Sequence, residues 1–433
     1  MESFRAKENR LTAQGYALGR TDYAWLDKAG VLLYRWRTPL LAFSLWRLVL
    51  FIMPFLANFV LEASLRNATS RYVIGSYYAG TVNFWTDRLF TAWGRWDGEW
   101  YLQVVTQGYR PDDSSAAFFP LYPILTKIVG QIAGGNYVLG GLIVSFIASI
   151  AAFILFYELT LRDFGDKLLA RRGLVLLAVF PTAFFLVAIY TEALFMALAL
   201  AAFYCARHLN HPRKWWLAGL FVALAVVTRN IGGLILVSLA WEWWKQHHEH
   251  GAIFKIKPGS WRNLVIMGSL PAIALGLWLA YSGLFLGNPL LFVSAQSGKE
   301  FARHSAMPWE TVWLAVTGII SPATFSESNL INLIFLVWWA VLVILGVRLA
   351  LQGRYPVSYL IFLVLAFLPG LCAPRDDQPL FAIPRYLLVL FPAFQIMALY
   401  TPRQRWIKWA FLGLSAFGLV YLTVHFVQWS WVA

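Results

Sequence analysis

The chain has 433 residues, of which 60% are hydrophobic and 13% charged, and a formal net charge of +14. Soluble domains carry roughly 25% charged residues, so this composition excludes a soluble protein and favours one membrane-embedded domain. The positive excess does not point to nucleic acid. Lys and Arg fall in short clusters between apolar runs, as in the inner loops of membrane proteins, and the 22 Trp and 19 Tyr suit a membrane–water boundary.

Residues 1–37 are polar and of mixed charge, unlike a signal peptide, and are expected to form a cytoplasmic segment ahead of a transmembrane domain over 38–433. Apolar runs near 20 residues can cross a bilayer. They lie at 38–62, 138–160, 173–190, 193–208, 263–286, 329–350, 356–374, 385–400 and 409–430. The 215–244 stretch reads either as one helix with Arg229 at mid-membrane, which is costly, or as a hairpin turning at Thr228-Arg229-Asn230. The hairpin puts Lys245, Lys255, Lys257, Arg262, Arg348, Arg354, Arg403, Arg405 and Lys408 inside. It leaves only Lys299, Arg303, Arg375 and Arg385 outside. A single span reverses that balance, so the hairpin is expected. The result is an all-α polytopic protein of about 11 spans with its N-terminus inside, in which 118–134 is an interfacial or re-entrant helix.

The largest outside segment is then 63–117, which carries Asp87, Asp97 and Glu99. Smaller ones are 287–310, with Gln296, Arg303 and His304, and 375–384. Glu192 and the pair Arg229-Asn230 sit at helix tips, and Arg385 begins a helix after Pro384. Polar residues that interrupt apolar patterns are functional candidates, and gathered on one membrane face they resemble a catalytic vestibule. Trp93, Trp96, Trp100 and Val104 follow a helical stripe that would lie flat at the interface. On that helix Asp97 and Tyr101 are one turn apart, and Glu99 is one turn from Arg95, which predicts a Glu99–Arg95 surface pair. Asp97 reads equally as a helix-start cap or as a headgroup-facing carboxylate.

The segment Arg95-Trp96-Asp97-Gly98-Glu99-Trp100-Tyr101, with Gly108-Tyr109 and Phe118-Phe119-Pro120-Leu121-Tyr122-Pro123, resembles the signature of the second GPI mannosyltransferase family (PIG-V), of the GT-C superfamily of membrane glycosyltransferases. The resemblance continues through Phe180-Pro181-Thr182, Tyr190-Thr191-Glu192, Thr228-Arg229-Asn230-Ile231-Gly232, Gly287-Asn288-Pro289-Leu290, Ala295-Gln296 and Pro384-Arg385-Tyr386. Asn288 stands where the pattern has Asp. The resemblance implies a GT-C-like bundle, a sugar on polyprenyl or dolichyl phosphate as donor, and inverting transfer to a glycolipid or glycan on the extracytoplasmic or lumenal side. It also implies a catalytic carboxylate in the first outside loop, at the position of Asp97. Asp87 and then Glu99 are the runners-up. Arg385 and Arg229 are expected to meet the donor phosphate, because the guanidinium fork fits phosphate oxygens. Glu192, Tyr101, Gln296, His304 and Tyr386 are further candidates for donor or substrate contacts.

No outside cluster has the close set of ligands that a dedicated metal site uses, so no metal or other cofactor is expected. The inner run His247-His248-Glu249-His250 lacks metal-ligand spacing, and Asn67-Ala68-Thr69 is a glycosylation sequon only in a eukaryotic secretory route. The expected location is the plasma membrane of a prokaryote or the endoplasmic reticulum of a eukaryote. The rival reading is a transporter or flippase for a lipid-linked sugar. Transporters place ionisable residues near the midplane, whereas here only Arg47 lies well inside a span.

Overall fold

The computed structural model describes residues 24–60, 74–248, 259–320, 325–401 and 404–430. The Asn67 sequon and the Glu249-His250 half of the histidine run lie outside these residues. Among the described residues all regular elements are helices, with one isolated antiparallel bridge between Arg303 and Arg375.

Among the described residues, five helices contain segments long and apolar enough to cross a bilayer: Gly30–Ala57, Tyr137–Phe164, Trp261–Phe285, Glu327–Leu351 and Arg405–Val427. Only 17% of the apolar window of Trp261–Phe285 is buried against protein, and Leu277 and Leu284 are 68% and 80% exposed. Lipid accepts so continuous an apolar face and water does not. The first helix, Ala24–Val60, runs straight through the 37/38 division expected from sequence. Arg35 forks onto Glu158, at 2.9 and 2.6 Å, and ties it to the Tyr137–Phe164 helix.

Shorter helices fill the interior, and here several expected spans are divided. The run 173–190 is not one helix. Lys167–Ala178 stops ahead of Phe180-Pro181, since proline lacks an N–H and disfavours helical backbone at the preceding residue. A 3-10 turn, Ala183–Leu186, follows, and the next helix is Glu192–His208. Likewise 356–374 divides into Val357–Leu365 and Leu368–Leu371, and 385–400 into Ile383–Leu388 and Phe391–Leu399. Pro369 and Pro392 occupy the first turns of the later pieces, where a missing N–H costs nothing. These pieces pack an aromatic core in which Phe203 meets Tyr359, Phe362 and Phe391 at ring separations of 5.2, 5.6 and 5.3 Å.

The 215–244 stretch is a hairpin. Lys214–Val226 and Leu234–His247 are joined by a 3-10 turn, Asn230–Gly233, and the outer ends meet: Lys214 Nζ donates to Gln246 Oε1 at 2.6 Å, and Trp215 contacts His247. At Gly232 a Cβ would lie 2.4 Å from the Ala225 carbonyl, so only glycine lets the turn close. The bundle therefore has two polar ends. At one, Arg207 bridges Asp163 (2.9 Å) and Glu242 (2.7 Å), and Tyr359 donates to Asp163. Asp97, Glu192, Arg229 and Arg385 gather at the other.

The Leu121–Ile132 helix is too short to span, as expected, and lies against Tyr137–Phe164 backbone to backbone. A Cβ at Gly140 would lie 2.6 Å from both the Gly130 nitrogen and the Thr126 carbonyl oxygen. Small residues permit this approach in membrane proteins. Gly140→Ala is expected to force the helices apart at a cost of about 1–3 kcal/mol, read as a lower melting temperature in detergent. An unchanged melting temperature would show that the contact is not tight.

Candidate active site

The segment predicted as one Trp-striped helix is two elements. A 3-10 turn, Thr91–Gly94, is followed by extended Arg95 and by Trp96 at φ 60°, and only then does the helix Asp97–Gln107 begin. The kink at Trp96 breaks the stripe, so Arg95 and Glu99 do not pair. Arg95 instead turns to Asp87, 3.3 Å away, which also binds Arg88 and accepts from the Thr91 hydroxyl at 2.6 Å. Asp87, a runner-up for the catalytic carboxylate, is thus buried in an ion cluster that braces the kink.

The kink aims Asp97, and Tyr190 holds it. The fully buried Tyr190 hydroxyl accepts from the Asp97 backbone N–H at 3.0 Å and donates to the Arg95 carbonyl at 3.1 Å. The helix start packs against the Ile189-Tyr190 backbone, where even a Cβ at Gly98 would make ordinary contact with the Ile189 carbonyl at 3.4 Å. Asp97 is the first residue of its helix, but its carboxylate Oδ2 takes Arg385 Nη1, at 2.5 Å.

Four charges from four separate segments form one network. Glu192 Oε1 accepts from Arg229 Nη1 and from Arg385 Nε, both at 2.5 Å, while Arg385 Nη1 reaches on to Asp97. Arg229 also donates to the Thr191 hydroxyl (3.1 Å), which lies 3.2 Å from the Tyr101 hydroxyl. The Arg385 guanidinium sits over the rings of Phe185 and Tyr190, at 5.3 and 5.0 Å. Its segment is anchored by Thr182, which donates to the Pro384 carbonyl at 3.1 Å. The carboxylates differ in access: the Asp97 side chain is 19% exposed and that of Glu192 0%. Of the two, Asp97 is the one open to solvent, and the buried Glu192 lies behind it against both arginines.

The network faces a cavity lined by Asp97, Tyr101, Arg229, Gln296, His304, Arg385 and Tyr386, so the site residues expected from sequence meet there, with Glu192 behind them. Its far wall is the pair of segments joined by the Arg303–Arg375 bridge, where the His304 N–H donates to the Pro374 carbonyl at 3.1 Å and Arg303 reaches the Tyr386 hydroxyl at 3.4 Å. Three arginines, Arg229, Arg303 and Arg385, thus line a cavity in which Asp97 is the accessible carboxylate. Glu99 lines a neighbouring cavity, not this one. Sequence reasoning did not give Tyr190 its pinning role, nor Phe301 and Phe381 their place in the wall, because these contacts join distant segments. Among the described residues no group of three His, Cys, Asp or Glu could hold a metal ion. His247 and His248 turn to the carbonyls of Trp243 and Trp244.

Residues 38–286 match the family described as Mannosyltransferase (PIG-V). GPI alpha-1,6-mannosyltransferase 2 of Mus musculus is 29% identical over 258 residues, 53% of this chain and 50% of that protein. The Rattus norvegicus protein of the same name is 29% identical over 163 residues, 36% and 32%. The chain thus spans about half the length of the curated relatives it matches. Among solved structures, ArnT from Cupriavidus metallidurans bound to undecaprenyl phosphate aligns with a TM-score of 0.44 and 13% identity, over 80% of this chain and 61% of that one. The apo Archaeoglobus fulgidus oligosaccharyltransferase aligns at 0.38 and 16%, over 72% and 48%. The family match includes Asp97, Glu192 and Arg229 and ends before Gln296, Arg303 and Arg385, so those three are tied to the site by geometry.

Proposed function

The chain belongs to the mannosyltransferase (PIG-V) family, and on that premise we propose that it is a membrane glycosyltransferase of GT-C type. It transfers a hexose, mannose first among candidates, from a polyprenyl or dolichyl phosphate to a hydroxyl of a glycolipid or glycan on the extracytoplasmic or lumenal face. The observation that carries this reading is the single accessible carboxylate, Asp97, held beside three arginines in one cavity.

The chemistry needs little more. The acceptor oxygen attacks the anomeric carbon as Asp97 takes its proton, and the bond from that carbon to the phosphate oxygen breaks. One displacement inverts the centre. The lipid phosphate leaves as an anion and requires no general acid, unlike the alcohol leaving group of glycoside hydrolysis. Arg385, Arg229 and Arg303 receive the charge. Before the donor arrives Arg385 is occupied by Asp97. A phosphate that draws the guanidinium to itself loosens Asp97, so donor binding frees the base.

The test is a donor screen with the purified full chain, a panel of hexosyl phosphoryl polyprenols and a glycolipid acceptor, detecting released lipid phosphate. Release is expected with the mannosyl lipid, dependent on acceptor and unchanged by EDTA, since Asp97 and the arginines supply the base and the counter-charge. A flippase would move the lipid and release no phosphate. Loss of release with EDTA, restored by a divalent ion, would overturn the metal-free mechanism.

A further inference from the structure

A second cavity meets the first at Asp97. It is lined by Trp96, Glu99, Trp100, Gln378 and Trp429, and it shares Asp97, Phe301 and Phe381 with the cavity above. The two differ in charge. The first holds three arginines against Asp97; beyond the shared Asp97 the second holds the carboxylates of Glu99 and Glu300 against Arg375 alone, and Arg375 is already forked onto Asp377 at 3.0 and 3.1 Å. Glu99 has no ion-pair partner among the described residues, the nearby Arg88 and Arg95 being turned to Asp87. An anion is therefore directed to the first cavity and disfavoured in the second.

The wall of the second cavity also carries unfilled hydrogen-bonding capacity. Gln378 Oε1, an acceptor, and Trp429 Nε1, a donor, are both buried and lack partners among the described residues. Buried polar groups are almost always satisfied, and an acceptor and a donor on residues that line one cavity suit a ligand that both gives and takes hydrogen bonds. A sugar hydroxyl does both. The indoles of Trp96, Trp100 and Trp429 add broad apolar surfaces with polar edges, which suit the C–H faces of a pyranose ring.

We propose that this second cavity is the acceptor subsite, binding a neutral pyranose of the acceptor glycan through Trp100, Gln378 and Trp429 so that one of its hydroxyls reaches Asp97. The assignment rests on the donor reading of the first cavity. Donor phosphate and acceptor sugar then approach Asp97 from separate cavities, and an in-line displacement requires them to come from different directions.

The test uses the full chain in nanodiscs, with methyl α-D-mannopyranoside as probe in saturation-transfer NMR and polyprenyl phosphate binding measured on the same samples. Saturation is expected to pass to the glycoside. Trp100→Ala and Gln378→Ala should each weaken its binding by about tenfold and leave polyprenyl phosphate binding unchanged. Trp429→Phe keeps the ring and deletes the donor; it should weaken the glycoside alone, and it serves should Trp100→Ala fail to fold. With polyprenyl phosphate filling the first cavity, mannose 6-phosphate should transfer less than the neutral probe. No transfer to the glycoside in the wild type, equal transfer to the phosphorylated sugar, or folded variants that lose nothing would overturn the subsite. Sugar binding that persists when the wild type fails to bind polyprenyl phosphate would instead sink the donor reading.

Discussion

Asp97→Asn is expected to lower turnover by about 10²–10⁴-fold, the contribution of a positioned general base, while donor binding holds or tightens. Asparagine keeps the size of the side chain and still packs beside Tyr190, but it cannot take the acceptor proton. It also ceases to compete for Arg385, whose Nη1 lies 2.5 Å from the Asp97 carboxylate, so the guanidinium is freer to meet a phosphate. The two effects point in opposite directions, which separates a base from a structural cap: a lost cap would lower melting temperature and donor binding together. The contrast is Asp87→Asn. Asp87 lies in the buried cluster with Arg88, Thr91 and Arg95, so its loss should lower the melting temperature and leave turnover per folded molecule near normal. Near-normal turnover in Asp97→Asn with collapse in folded Asp87→Asn would move the base to Asp87.

The sequence was most legible where one physical signal dominated. Long apolar runs gave the helices that face lipid, and the cost of Arg229 at mid-membrane, with the charge balance of the later loops, gave the hairpin that Lys214 and Gln246 close. Legibility failed where a single residue overrides a periodic pattern. Trp93, Trp96 and Trp100 fit a helical stripe by spacing, but Trp96 sits at φ 60° and turns the chain between them. No spacing rule contains that turn, and the mistaken Glu99–Arg95 pair followed from it. Prolines 181, 369 and 392 divided apolar runs that read as continuous spans.

The site divides in the same way. The residue types, together with the family resemblance, selected Asp97, Tyr101, Arg229, Gln296, His304, Arg385 and Tyr386, and all of them line one cavity. Their connections were not legible, because Glu192 meets partners 37 and 193 residues away. Gln378 lies in the outside segment 375–384 and Trp429 at the end of the 409–430 run, but neither residue stood out within them, and their lack of partners among the described residues becomes visible only once the chain is folded.

The deepest of those connections predicts the largest effect on stability. Glu192 is fully buried, and its Oε1 holds both Arg229 and Arg385. Glu192→Gln keeps the shape and removes the charge, leaving two guanidiniums together with Asp97 as their remaining counter-charge. Breaking a buried pair from one side costs about 3–5 kcal/mol, so a marked fall in melting temperature is expected. A second change should recover part of it: Arg229→Gln in the Glu192→Gln background removes the uncompensated charge, and the double variant should be more stable than the sum of the single losses predicts. Strict additivity would show that these residues do not act as a unit. The same variant reports on the donor site. Added polyprenyl phosphate brings an anion to the place where the carboxylate charge is missing, so it should raise the melting temperature of Glu192→Gln by more than that of the wild type. An equal rise in both proteins would mean that the phosphate does not meet Arg229 and Arg385.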